Sequence, residues 1–208
     1  MKAIAIDIQP LRCFLNPTLV GGTLPDVAGI VPELNKNAVF AQGRVLLQSQ
    51  PPLVEADRNP FSRPLTLADQ YEPLRGLPPE NRYTHTIWAD CPPNADQSLC
   101  FHDTQESQSS GLVEWLHEQQ PDTLIIGGLA LDASLQKTVR HLCLFGEWDV
   151  IVNLAACRGY DPKSSLDAIA KMRASGATII NNALGITPHL LPSSSSAKGM
   201  VKNIVAAA

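Results

Sequence analysis

An aspartate that ends an apolar run and a serine at the mouth of a helix are the two side chains whose types and surroundings best suit them to chemistry. Asp7 follows Ala3-Ile4-Ala5-Ile6, and a carboxylate there can take a proton from a ligand or simply cap backbone N–H groups. Ser134 ends the stretch Gly128-Leu-Ala-Leu-Asp132-Ala-Ser134, which follows the apolar run Leu124-Ile125-Ile126. A hydroxyl at the first turn of a helix sits at the positive end of the helix dipole, among free N–H groups, and that arrangement suits an oxyanion. The same serine would serve equally well as a plain helix-start residue. Trp88 offers a flat face to a planar ligand, or a core or interface contact. Asp90 with Cys91 is too sparse for zinc, which needs three or four convergent ligands. His85, His117, His141 and His189 read as surface or satisfied structural histidines.

These residues need elements to hold them. Five short apolar runs, Ala3 to Ile8, Arg44 to Gln48, Thr123 to Gly127, Asp149 to Leu154 and Ala177 to Asn181, read as strands buried on both faces. Before and between the last three lie segments of helical spacing: Leu112, Trp115 and Leu116, then Leu135, Val139, Leu142 and Cys143, then Leu166, Ile169 and Met172. Alternation of strand and helix implies right-handed crossovers and a parallel sheet. Asp132 or Ser134 is expected to start the second helix and Ser164 or Ser165 to cap the third, with Gly176 closing it as a C′ residue. In such a sheet ligands bind beyond the carboxyl ends of the strands, where the strand order reverses. Asp7, the Gly128 to Ser134 stretch and Asn153 all fall at strand ends.

The 208 residues, 44% hydrophobic and 17% charged, suit one α/β domain over 1–208 and are incompatible with a disordered chain. A formal charge of −4 without a basic cluster gives no footprint for nucleic acid or anionic lipid. The amino terminus meets an acid at Asp7, so neither a leader nor a membrane span is readable there, and a cytoplasmic location is expected. Five cysteines without a C-x-x-C pair argue against a disulfide framework or zinc knuckle and fit reduced packing roles. Residues 49–84 hold seven of the 17 prolines and read as a long surface excursion with one short helix near Thr66 to Tyr71; it either covers a site or partner, or is inert. The tail from Ser193 begins with serines and ends in a sequence able to form an apolar helix.

In Ala3-Ile-Ala-Ile-Asp7-Ile-Gln9, Val31-Pro-Glu-Leu-Asn35, Gly128-Leu-Ala-Leu-Asp132-Ala-Ser134, Val150-Ile-Val-Asn-Leu154 and Leu166 to Ile180, the chain resembles the isochorismatase-like cysteine hydrolases, the nicotinamidase branch above all. The resemblance implies a three-layer α/β/α domain with a mostly parallel sheet of about six strands, and a non-proline cis peptide at Ala130-Leu131. It implies an aspartate base, matched by Asp7, a charge-stabilising lysine and an attacking cysteine. Ser134 stands at the cysteine position, and Phe101, beside His102, at that of the lysine. A protonated His102 could replace the lysine. The metal-holding Asp and His cluster of that branch has no counterpart in Gln48-Ser49-Gln50 or Trp88-Ala89-Asp90-Cys91, so neither metal nor other cofactor is expected.

Two readings follow. In one, the chain is an amidohydrolase acting on a small amide or related carbonyl compound through Ser134, with Asp7 as base and the N–H groups of Leu131 and Ser134, next to Ala130, as oxyanion donors. In the other it is a catalytically silent relative that keeps the scaffold for binding or assembly, with Phe101 and Arg12 filling the substrate's space. A homo-oligomer is expected in either case, with no nucleic-acid or membrane partner.

Overall fold

A computed structural model describes residues 1–50, 67–103 and 105–190. The serine-led tail and residues 51–66 of the proline-rich excursion lie outside the described residues. Element by element the chain runs β1 (Ala3–Ile8), α1 (Pro17–Val20), α2 (Val31–Val39), β2 (Gly43–Ser49), α3 (Leu67–Gln70), β3 (His85–Ala89) and α4 (Leu112–Gln119). It continues with β4 (Thr123–Leu129), α5 (Gln136–Phe145), β5 (Asp149–Arg158), α6 (Pro162–Ala174), β6 (Thr178–Ile180) and α7 (Thr187–Leu190). The short helix expected near Thr66 to Tyr71 is α3.

All six strands pair in parallel, in the order β3-β2-β1-β4-β5-β6. The direction of winding therefore reverses between β1 and β4, and the crevice at their carboxyl ends is where a ligand fits in such a sheet. Strand β1 shows how the two faces differ. Ile4, Ile6 and Ile8 point into the larger core, with Leu112 and Leu116 of α4, Val139 and Leu142 of α5, and Met172 of α6. Alternation turns Ala3, Ala5 and Asp7 to the other face, where α2 packs. There Gly127 lets the sheet and helix approach closely, because a Cβ on it would come within 2.7 Å of Leu34 Cδ2.

The structure corrects several expectations. His85–Ala89 is a sixth strand; its polar edge position hid it from a search for continuous apolar runs. Leu166 is 68% exposed, and Ala168 with Met172 forms the buried stripe of α6. The cap of α6 is Asp161, whose Oδ2 accepts from Ser164 N at 2.9 Å, rather than Ser164 or Ser165. Gly176, at φ +102°, does close that helix: its N–H donates to Arg173 and that of Ala177 to Met172, a Schellman ending. The cis peptide lies one bond earlier than expected, at Leu129-Ala130.

Candidate functional site

Beyond β4 the chain makes a wide turn, Leu131–Leu135, before α5 begins, with Ala133 at non-helical angles. Neither Asp132 nor Ser134 caps the helix. Asp132 instead points across to the end of β5, where its carboxylate accepts from the N–H groups of Tyr160 and Asp161, each at 3.0 Å, and from the Ser164 hydroxyl. Those donors hold its pKa below the usual carboxylate range against the opposing effect of burial.

Ser134 is buried, and its Oγ donates to Gln9 Oε1 at 3.1 Å, with the Leu129 carbonyl at 3.5 Å. Gln9 in turn donates through Nε2 to Ser49 Oγ, which lies 3.7 Å from Cys91 Sγ. A buried polar chain, Ser134 to Gln9 to Ser49 to Cys91, thus crosses the carboxyl ends of β4, β1, β2 and β3. Gln9 holds its place with a positive φ of 45° and an N–H bond to the Leu47 carbonyl at 2.7 Å.

Asp7 is fully buried on the α2 face. Its Oδ2 accepts from Arg44 Nε at 2.7 Å and Tyr83 Oη at 3.0 Å, and lies 2.7 Å from Arg44 Nη2. Burial raises its pKa to about 6, although Arg44 and then Tyr83 pull it down. Desolvation therefore outweighs a close cation here. Among the described residues Asp7 and Ser134 share no hydrogen bond: Asp7 engages Arg44 and Tyr83, whereas Ser134 engages Gln9.

The other expected site residues scatter. Ala130 and Leu131 are buried at the turn beyond β4. Trp88, registered beside Gln48, lines a groove of ≈ 870 Å³ together with Arg12, Tyr71, Leu74 and Leu77, in keeping with a pocket wall. Arg12, expected to fill substrate space in a silent relative, lies at this groove. It pairs with Glu72 at 2.8 Å and donates to the Pro73 carbonyl at 3.1 Å, tying the turn after β1 to residues 71–79. Phe101 packs edge-on to His141 and Phe145, on the flank of α5. His102 Nδ1 contacts the Trp88 carbonyl at 3.1 Å. Asn153 turns to α2, bonding Asn37 at 2.8 Å and Glu33 at 3.1 Å, so it braces the sheet instead of lining the crevice. Of the histidines, His85 stacks on Trp115 and His117 lies against Trp148. All five cysteines are free.

Arg44, Tyr83 and Gln9 are the residues that sequence reasoning missed. A charged residue at the start of an apolar strand was the available signal for Arg44. A glutamine two places after the strand-end acid was the signal for Gln9.

No family model matches the chain. The nicotinamidase of Escherichia coli (strain K12) is 35% identical over 89 residues, 42% of this chain and 41% of that protein, so the matched stretch spans less than half of the curated relative. Similar solved structures include a nicotinamidase and pyrazinamidase of Acinetobacter baumanii, at TM-score 0.69 and 20% identity, covering 89% of this chain and 98% of that one. A pyrazinamidase of Pyrococcus horikoshii in complex with zinc matches at TM-score 0.63 and 18% identity, with 86% and 99% covered. An isochorismatase-like hydrolase from Alkaliphilus metalliredigens matches at 0.64 and 13%, with 91% and 99% covered.

The zinc of the Pyrococcus structure finds no matching donors among the described residues, where no group of three or more His, Cys, Asp or Glu converges. Near the end of β2, where the resemblance implies a metal-holding cluster, Gln48 is buried with neither amide atom partnered among the described residues. A neutral amide is a poor replacement for a carboxylate or imidazole ligand. The chain therefore has the fold of these nicotinamidase, pyrazinamidase and isochorismatase-like structures, and over 89 residues it is similar in sequence to a nicotinamidase.

Proposed function

We propose that the chain acts on the C–N bond of a small amide, with Ser134 as the attacking group and Asp7 as the proton acceptor. The observation that carries this reading is the arrangement at the switch of the sheet. A carboxyl group with a pKa near 6 ends β1, a buried hydroxyl follows β4, and β1 and β4 are paired neighbours. In the reaction Ser134 Oγ would bond to the carbonyl carbon as its proton leaves, the N–H groups of Leu131 and Ser134 would meet the oxyanion, and the C–N bond would break as ammonia departs with that proton. Water would then cleave the ester, releasing the acid and restoring the hydroxyl. A homo-oligomer and a cytoplasmic setting belong to the same proposal.

One observation favours a second reading, a catalytically silent relative that binds such compounds without turning them over. The Ser134 hydroxyl donates to an amide oxygen of Gln9, and an amide does not take a proton at neutral pH, so the hydroxyl is unactivated in this arrangement. Ammonia release from nicotinamide, measured for the unmodified protein and for Ser134→Ala and Asp7→Ala, separates the two. Release that falls at least about 100-fold in both variants supports hydrolysis. Calorimetric binding of nicotinamide without release above background supports the silent relative and eliminates hydrolysis of that amide.

A further inference from the structure

The two oxygens of the Asp7 carboxyl are treated differently. Oδ2 collects the Arg44 Nε and Tyr83 Oη donors and the contact with Arg44 Nη2, whereas Oδ1, also buried, has no hydrogen-bond partner among the described residues. The donors are themselves braced. Arg44 Nη1 donates to Asn35 Oδ1 of α2 at 3.0 Å, and the guanidinium carbon lies 5.3 Å from the centre of the Tyr83 ring. Carboxylate, guanidinium, phenol and amide therefore lock one another's orientation. A carboxyl group buried only for packing would be expected to satisfy both oxygens, because a bare buried acceptor forfeits its solvation without return.

We propose that Arg44 and Tyr83 are positioning residues that occupy Oδ2 of Asp7 and so present Oδ1, its single uncommitted oxygen, to the ligand. This rests on the reading of Asp7 as the proton acceptor. With three contacts on Oδ2, the uncommitted lone pairs of the buried carboxylate are those of Oδ1, and a proton that arrives goes there. The charged and titratable groups that face Asp7 among the described residues are Arg44 from β2 and Tyr83 from the segment leading into β3. Helix α2 contributes the neutral Asn35, acting through Arg44.

The test is a carbon-13 NMR titration of the Asp7 carboxyl in the full-length protein and in Tyr83→Phe, Arg44→Lys and Arg44→Gln, alongside the pH profile of nicotinamide turnover. Loss of the phenol donor is expected to move the Asp7 midpoint up by about one pH unit. Turnover in Tyr83→Phe should fall by about tenfold in kcat with KM within about twofold, and its acid limb should follow the new midpoint. Arg44→Lys should titrate between the unmodified protein and Arg44→Gln. If Arg44→Gln does not fold, Tyr83→Phe, which removes one oxygen, still decides. A midpoint unmoved in both Tyr83→Phe and Arg44→Lys overturns the clamp. Absence of ammonia release sinks the hydrolase reading instead, and the titration still judges whether Oδ2 is held as described.

Discussion

Arg44 meets Asp7 diagonally: its backbone is registered with Ala5 of β1, and its side chain reaches one step along the same face to put Nε 2.7 Å from the Asp7 carboxyl. Only a long, forked cation spans that offset while also bonding Asn35. Asp7 is buried and Arg44 largely so, at 1% and 14% side-chain exposure, so solvent screening is weak.

The first prediction concerns pH. An acid whose folded pKa is raised from 3.8 to about 6 binds its proton more readily in the folded state, so stability falls as pH rises between those two values. The size of the effect is about 3 kcal/mol, at 1.4 kcal/mol per pH unit. Urea unfolding from pH 4 to pH 7 should therefore show Asp7→Asn gaining on the unmodified protein by about that amount. A difference that stays flat across the range would mean that Asp7 is ionised in the fold at little cost.

Asp132 behaves in the opposite sense. Its folded pKa is lowered by the donors around it, so it contributes stability above the ordinary pKa of an aspartate, and that contribution disappears as pH falls through the lowered value. Asp132→Ala leaves the Tyr160 and Asp161 N–H groups and the Ser164 hydroxyl without their acceptor. A loss of about 2 to 3 kcal/mol is expected near neutral pH, read as a lower urea midpoint with an unchanged slope, and it should shrink in acid.

Gly128→Ala tests the close approach of β4 to β1. Gly128 has φ +136°, and a Cβ on it would stand 1.9 Å from the Ile8 carbonyl oxygen. Backbone cannot yield as a flexible side chain can, so a loss above about 3 kcal/mol or failure to fold is expected. Thermal unfolding within a degree or two of the unmodified protein would show that the strands can part without cost.

Ser134→Ala removes the donor that satisfies Gln9 Oε1. The buried amide oxygen is then unpaired, and a cost of about 1 to 2 kcal/mol follows. Gln9→Leu should cost at least as much, because Ser49 also loses the donor that Gln9 supplies. A double-mutant cycle in urea should show the two effects coupled; strict additivity would mean that the bond contributes nothing.

Much of the sheet was legible because β1, β2, β4 and β5 are continuous apolar runs, a pattern that only strands covered on both sides require. Strand β3 escaped because it lies at the sheet edge and carries His85, Thr86 and Trp88, each partly exposed. The helices were visible from their spacing, yet Leu166 shows that an apolar residue at the right interval can still face solvent. For the candidate site, position was legible and partnership was not. Asp7 and Ser134 lie near the crevice where strand ends predicted them, but their actual partners depend on register and chain path. Arg44 reaches Asp7 across a parallel pairing, and Tyr83 arrives from 76 positions away. The offset of the cis bond by one residue, from Ala130-Leu131 to Leu129-Ala130, is the same kind of error. A motif fixes a neighbourhood, and backbone geometry selects the peptide.

The carboxylate of Asp132 reaches out of one connection and fastens the next, since its acceptors hold Tyr160 and Asp161 beyond β5 and Ser164 in α6. Two stretches separated by a whole helix and strand are thereby made interdependent. An engineer wishing to transplant the loop after β4 from another protein would have to carry the corner before α6 with it, because either alone would arrive with its counterpart's bonding groups unmet.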